Sequence, residues 1–127
     1  MSKPNLVDFN EPCLLVRIPK LWRADMSPGE LYDATRGVWR LGERRNAVRF
    51  VLAVHNGVVW EAFEVSRWFP AGTTEYRDRA SFDIDIEGRW EFTGQLASTS
   101  IRGLVIGGSV AGLFARGNSN PVKYLNC

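Results

Sequence analysis

The chain has 127 residues, is 45% hydrophobic and 24% charged, and carries a formal charge of +2 at pH 7. This size suits one domain spanning 1–127 with a core at about 13–126, and the composition excludes a disordered tail. No apolar run approaches the ~18 residues of a membrane helix, and no signal peptide is visible. We therefore expect a cytoplasmic protein without membrane contact. Two cysteines and one histidine are too few for a four-ligand zinc site, so neither a metal nor a cofactor is expected.

The first predicted elements are a strand and a short helix. The segment CLLVRIP favours a strand that ends at Pro19. Ser27 is expected to cap a helix, because proline follows it directly and Glu30 lies three residues after the cap. Gly37 is predicted to stop that helix.

The turn Asn56-Gly57 predicts a β-hairpin over residues 48–65, flanked by segments rich in valine and phenylalanine. A two-residue turn pairs residues whose numbers sum to 113. The predicted pairs are His55–Val58, Ala53–Trp60, Phe50–Phe63 and Arg49–Glu64. Both faces of the hairpin are largely apolar, so we expect a central hairpin covered on both sides.

The second half of the chain predicts shorter elements. Residues 68–72 are expected to open a loop, and the segment RWEFTGQLA alternates as a half-exposed strand does. Ser98 can cap a turn of helix, LVIGG is compatible with a short strand, and PVKYLN with a closing one. The predicted class is α+β, as a small, partly open β-barrel of five or six strands with two or three short helices.

Positive charge is concentrated between the helix and the hairpin. Residues 36–49 contain five of the thirteen arginines and one acid, a formal charge of +4. Guanidinium groups bind phosphate in a bidentate manner and stack on planar rings, which favours contact with a polyanion over a solvated surface. The predicted phosphate contacts are Arg36, Arg40, Arg44 and Arg45. Lys123 is either a further contact or an exposed lysine of an edge strand.

The order of these elements resembles the PUA-like superfamily, above all its YTH and EVE branches. The resemblance rests on the strand LLVRIP, the segment RGVW, the hairpin FVLAVHNGVVWEAFEV, the strand GRWEFTGQL and the closing segment NPVKY. It covers roughly residues 13–126. The residues after the first tryptophan, RLGE, depart from the YTH pattern of small hydroxyl residues and an asparagine. The modification recognised by that branch therefore does not carry over.

The resemblance implies a pocket for a modified or flipped nucleobase, lined by aromatic side chains. Trp39 matches the cage tryptophan of the family, and Trp68 stands where a second cage aromatic is supplied. DNA or RNA is the implied partner. The superfamily also occurs fused to restriction nucleases in defence systems, which implies a nuclease or motor subunit as a second partner.

Other aromatic and amide residues are weaker candidates for the base site. Trp22 lies in a predicted loop, where stacking and packing both remain open. Tyr32 fits the apolar side of the helix better than a base site, and Asn118 and Asn120 are turn residues first. Trp60 and Trp90 lie within strands and are expected in the core.

The favoured hypothesis is a reader without catalytic residues. One alternative is a nuclease like the ASCH branch, for which Lys20, Tyr32 and Tyr76 are the only acid/base candidates, without a supporting motif. Another is a domain that binds a small uncharged ligand or a protein. Salt dependence of binding separates this last class from the first, because only phosphate contacts give a steep loss of affinity with added salt.

Overall fold

A computed structural model describes residues 9–18, 25–37, 39–74, 88–110 and 121–127. The strands are β1 (Cys13–Arg17), β2 (Phe50–His55), β3 (Val58–Pro70), β4 (Trp90–Leu96) and β5 (Val122–Leu125). The helices are α1 (Pro28–Thr35) and α2 (Thr99–Val105), with a 3-10 helix at Glu43–Ala47 between α1 and β2.

The five strands form one mixed sheet in the order β4-β3-β2-β1-β5. β1 and β2 are parallel, whereas all other neighbouring strands are antiparallel. The α+β class is confirmed. The strands of the described residues form an open sheet with β4 and β5 at its edges, so closure into a barrel stays a prediction.

Each face of the sheet is covered by one helix. On one side Leu31 and Ala34 of α1 pack with inward residues of all five strands; we call this side the α1 face. On the other side Val105 of α2 packs over a second cluster, which includes Leu15 and Phe50; we call it the α2 face. Alternate residues of β2 belong to the two clusters and are fully buried. The predicted central, doubly covered hairpin is therefore confirmed.

The predicted hairpin register holds only near the turn. His55 pairs with Val58 as predicted, but the register shifts by one residue beyond Val54, and Phe50 faces Glu64 instead of Phe63. Trp60 is the extra residue of this β-bulge, which reverses the faces of the residues that follow. Trp60 is 45% exposed, and its indole N–H donates to the His55 carbonyl at 3.2 Å. Its predicted place in the core is wrong.

The helix starts were predicted correctly. Ser27 and Glu30 form the reciprocal capping box, with N–O distances of 3.1 and 3.2 Å, and Pro28 occupies the first helical position. Ser98 accepts from the Ile101 amide and caps α2. α2 extends to Val105 and residues 106–107 form a turn, so the strand suggested for LVIGG is not formed. β3 runs on to Pro70, so the loop predicted at residues 68–72 begins later.

Candidate functional site

Three half-buried tryptophans lie on the α1 face, around the end of β3 and the start of β4. Trp39, Trp68 and Trp90 all pack against the core cluster of that face. Trp39 and Trp90 are joined by two antiparallel backbone hydrogen bonds, with N–O distances of 2.9 and 2.8 Å. Trp68 faces Phe92 across β3 and β4. The sheet therefore presents the two predicted base-binding tryptophans on one face, on either side of β4.

The two predicted cage tryptophans differ in the state of their indole N–H groups. The Trp39 N–H donates to the Thr35 carbonyl at 2.7 Å, which fixes this ring against the end of α1. Trp68 packs edge-on against Phe92, with ring centroids 5.3 Å apart. Its N–H is buried and has no acceptor among the described residues.

Arg45 lies directly on the aromatic surface. Its guanidinium carbon is 3.5 Å from the centroid of the Trp90 ring, within the range of a cation–π contact. One of its terminal nitrogens donates to the Gly42 carbonyl at 2.8 Å. The turn of 3-10 helix that begins at Glu43 thus holds this arginine over a tryptophan. Trp90, expected only in the core, becomes part of the site.

Arg44 makes a similar contact at the opposite edge of the sheet. Its guanidinium carbon is 4.3 Å from the centroid of the Tyr124 ring, and the side chain also donates to the main-chain oxygen of Cys127. Burial raises the pKa of the Tyr124 phenol, and the charges of Arg44 and Arg45 oppose that rise. Two consecutive arginines therefore reach aromatic rings on both edge strands.

The remaining predicted phosphate contacts lie in different environments. Arg40 is exposed close to the Trp39 bridge. Lys123 is half-buried and pairs with Leu15, so it lies on the α2 face, away from the tryptophans. Arg49 is exposed and pairs with Glu11 at 3.2 Å. Arg44 and Arg45 thus contact aromatic rings of the α1 face, and Arg40 directly follows Trp39 in the chain, whereas Lys123 lies on the other face.

Arg36 occupies a structural position. It is 3% exposed, and its Nε lies 3.4 Å from a carboxylate oxygen of Asp33, which is buried as well. A terminal nitrogen donates to the Thr74 hydroxyl and to the Phe92 carbonyl. The guanidinium is thus enclosed by protein groups. The sequence shows the charge of Arg36 but not its burial. Because the side chain is enclosed, we remove Arg36 from the predicted phosphate contacts.

Tyr32 is also occupied inside the fold. Its ring packs against Phe63 and Phe92, with centroids 5.4 and 6.0 Å apart. Its hydroxyl accepts a hydrogen bond from the Gly94 amide at 2.9 Å. This agrees with the helix-side role that the sequence favoured. Trp22, Asn118 and Asn120 lie outside the described residues, as do Lys20 and Tyr76.

A buried carboxylate that the sequence analysis missed anchors the connection after β3. Glu91 is fully buried and accepts hydrogen bonds from the Gly72 and Thr74 amides at 2.6 and 2.8 Å. It also accepts from the Thr74 hydroxyl, which in turn accepts from Arg36. The alternating pattern of β4 predicts that Glu91 is exposed. It is buried instead, because the turn at residues 71–74 folds over it.

Within the described residues, no cluster of three or more His, Cys, Asp or Glu side chains could hold a metal ion. None of the helices in that part of the chain is long and apolar enough to cross a membrane.

A scan against protein-family models, a search of curated proteins and a search of solved structures each found no match.

Proposed function

We propose that this protein is a nucleic-acid-binding module that holds a modified or flipped nucleobase between Trp39 and Trp68. Phosphates of the same strand would contact Arg40, Arg44 and Arg45. The observation that best supports this is the grouping of three half-buried tryptophans on the α1 face, with Arg45 stacked 3.5 Å above one of them. Aromatic faces beside guanidinium groups are the surfaces on which single-stranded or flipped bases stack.

A relationship to the PUA-like superfamily belongs to the same proposal. It is supported by the succession of strand, capped helix, tryptophan, Asn-Gly hairpin and returning strand, which the described elements follow. The cytoplasmic location expected from the sequence stays a prediction, and a nuclease or motor subunit as partner is an expectation that rests on this relationship alone.

The first test measures the salt dependence of binding. Fluorescence anisotropy with DNA and RNA oligonucleotides, with and without base modifications, is recorded at two salt concentrations. Replacing Arg44 and Arg45 by alanine should reduce the slope of log K against log salt by about one to two units, for all sequences alike. Arg67→Ala is the matched control, because Arg67 is exposed and, one residue before Trp68 on β3, points to the opposite face.

The outcomes separate the classes of function. A slope that falls equally in the Arg67 control would show general charge attraction without a defined surface. Binding that does not respond to salt would favour the small-ligand or protein-binding class instead.

The second test concerns stacking. Alanine at Trp39 or Trp68 should cost about 1 to 3 kcal/mol of binding free energy, the usual contribution of a base on an aromatic ring. A thermal melt of each variant establishes that the domain still folds. Unchanged affinity in both folded variants would contradict the base site.

A further inference from the structure

The two arginines that contact aromatic rings of the α1 face differ in their accessibility. Arg45 is half-buried over Trp90, and its Nε atom is enclosed, with no hydrogen-bond partner in the part of the chain that the structure describes. Arg44 is exposed, although its guanidinium carbon lies over the Tyr124 ring, 4.3 Å from the centroid. Arg45 is therefore packed into the surface, whereas Arg44 has a ring on one side and is accessible to a ligand.

Two contacts hold the guanidinium group of Arg44 in place. The half-buried ring of Tyr124 supports it, and the side chain donates a hydrogen bond to the main-chain oxygen of Cys127. A side chain that is already held loses less conformational entropy when a ligand binds to it. Arg44 thus offers a planar group whose position is set before binding.

The accessible part of Arg44 suits a planar ring as well as a phosphate. A phosphate binds to the edge of a guanidinium group through two parallel N–H groups, and one terminal nitrogen of Arg44 already donates to Cys127. The face of the group takes part in no hydrogen bond, and unpaired nucleobases stack on guanidinium planes. The face turned away from Tyr124 is therefore a candidate surface for a base.

This surface lies beside the proposed base site. Arg44 and Arg45 are consecutive residues of the 3-10 helix Glu43–Ala47. Arg45 lies over Trp90, and Trp90 is bridged to Trp39. A strand whose base is held by the tryptophans would therefore bring a neighbouring nucleotide to Arg44.

We propose that the face of Arg44 turned away from Tyr124 is a second base subsite, which stacks a nucleotide that neighbours the one held between Trp39 and Trp68. The ligand is then a single-stranded segment of at least two nucleotides. The inference rests on the proposed base-binding function and extends it along the strand. The charge of Arg44 still attracts phosphates, so its contribution to the salt dependence is unchanged.

The experiment scans a single strand with one abasic nucleotide. The tightest-binding oligonucleotide of the anisotropy set is used, because the base between the tryptophans fixes the strand on the protein. The abasic nucleotide is moved through the positions on both sides of that base. At one neighbouring position the wild-type protein should bind about 2- to 30-fold more weakly, the range for a cation against a ring. At distant positions the affinity should not change.

A matched pair of variants assigns this loss to Arg44. Arg44→Lys keeps the charge but removes the planar group, so the abasic nucleotide should no longer weaken binding and the salt slope should stay the same. Arg40→Lys makes the same replacement at another exposed arginine of the segment, and it should retain the loss. A thermal melt of each variant establishes that it folds.

Replacements of Tyr124 test the support beneath the guanidinium group. Tyr124→Phe keeps the ring and should keep the effect of the abasic nucleotide. Tyr124→Leu removes the ring, so the effect should fall toward that of Arg44→Lys. The same ranking is expected with DNA and RNA, because every base has a face that can stack.

Each outcome decides between the hypotheses. Equal wild-type affinity for all strands with an abasic nucleotide beside the central base overturns the subsite and leaves the tryptophan site intact, whether or not the variants fold. A loss that persists in folded Arg44→Lys, or that also disappears in Arg40→Lys, overturns the role of Arg44. A lower salt slope in Arg44→Lys with an unchanged loss makes Arg44 a phosphate contact alone and overturns the inference as well. Binding of none of the oligonucleotides overturns the proposed function itself.

Discussion

Replacing Arg36 by methionine should destabilise the fold without weakening contact with phosphate. Arg36 and Asp33 are each 3% exposed and form an ion pair, and Arg36 also donates to Thr74. Removing one partner of a buried ion pair leaves an uncompensated charge, which costs about 3 to 5 kcal/mol. Methionine retains most of the apolar volume, so the loss should reflect the polar contacts.

Urea unfolding measures this loss directly. With a slope of about 1.5 kcal/mol per molar urea, the midpoint should fall by roughly 2 to 3 M. Adding Asp33→Asn to the same variant should recover part of the stability, because the carboxylate that faced Arg36 is then replaced by a neutral amide. Arg40→Met is the control: Arg40 is exposed, and its replacement should change stability by no more than about 0.5 kcal/mol.

The salt dependence of oligonucleotide binding should rank the Arg36→Met and Arg40→Met variants in the opposite order. Arg40→Met should reduce the salt slope by about one unit, and folded Arg36→Met should leave it unchanged. A variant at Arg36 that kept its urea midpoint and lost salt dependence would refute the buried role of this arginine.

Three further predictions test the packing. Trp60→Ala should cost less than about 1 kcal/mol of stability and Phe63→Ala about 3 to 5, since these side chains are 45% and 1% exposed; the reverse order in urea unfolding would contradict the bulge. Gly94→Ala should cost about 1 to 3 kcal/mol of unfolding free energy, because a Cβ there would lie 2.1 Å from a carbonyl oxygen of β3. Gly103 is the control: a Cβ there has open space, so Gly103→Ala should not destabilise the fold. Burial raises the pKa of Cys13 to about 12, so at pH 8 a thiol reagent should react with the other cysteine first; equally fast labelling of both in the folded protein would contradict this.

Local signals in the sequence predicted the elements whose causes are local. The capping box of Ser27 and Glu30 and the Asn56-Gly57 turn each fix the backbone through contacts within a few residues. The two-sided burial of the hairpin likewise follows from its composition. These features are confirmed in the fold.

The incorrect predictions concern features that depend on residues distant in the sequence. The bulge at Trp60 lies between the part of β3 near the turn and the part that also pairs with β4, and alternation of residue types does not reveal an inserted residue. The burial of Arg36 depends on Thr74, 38 positions away, and that of Glu91 on the turn at residues 71–74. The sequence does not reveal the partner of a buried polar residue when that partner is distant in the chain, because only the fold brings the two together.

The number of arginines in residues 36–49 therefore overstates the positive charge that is accessible to a ligand. Of the five arginines between residues 36 and 49, Arg36 is enclosed and Arg49 is paired with Glu11. Arg44 and Arg45 lie on aromatic rings, and Arg40 is exposed. Three phosphate contacts correspond to a salt slope of about −2 for a single strand and nearly −3 for a duplex. In the proposed function, affinity from charge alone is thus modest, and selective binding would depend on a base held between Trp39 and Trp68.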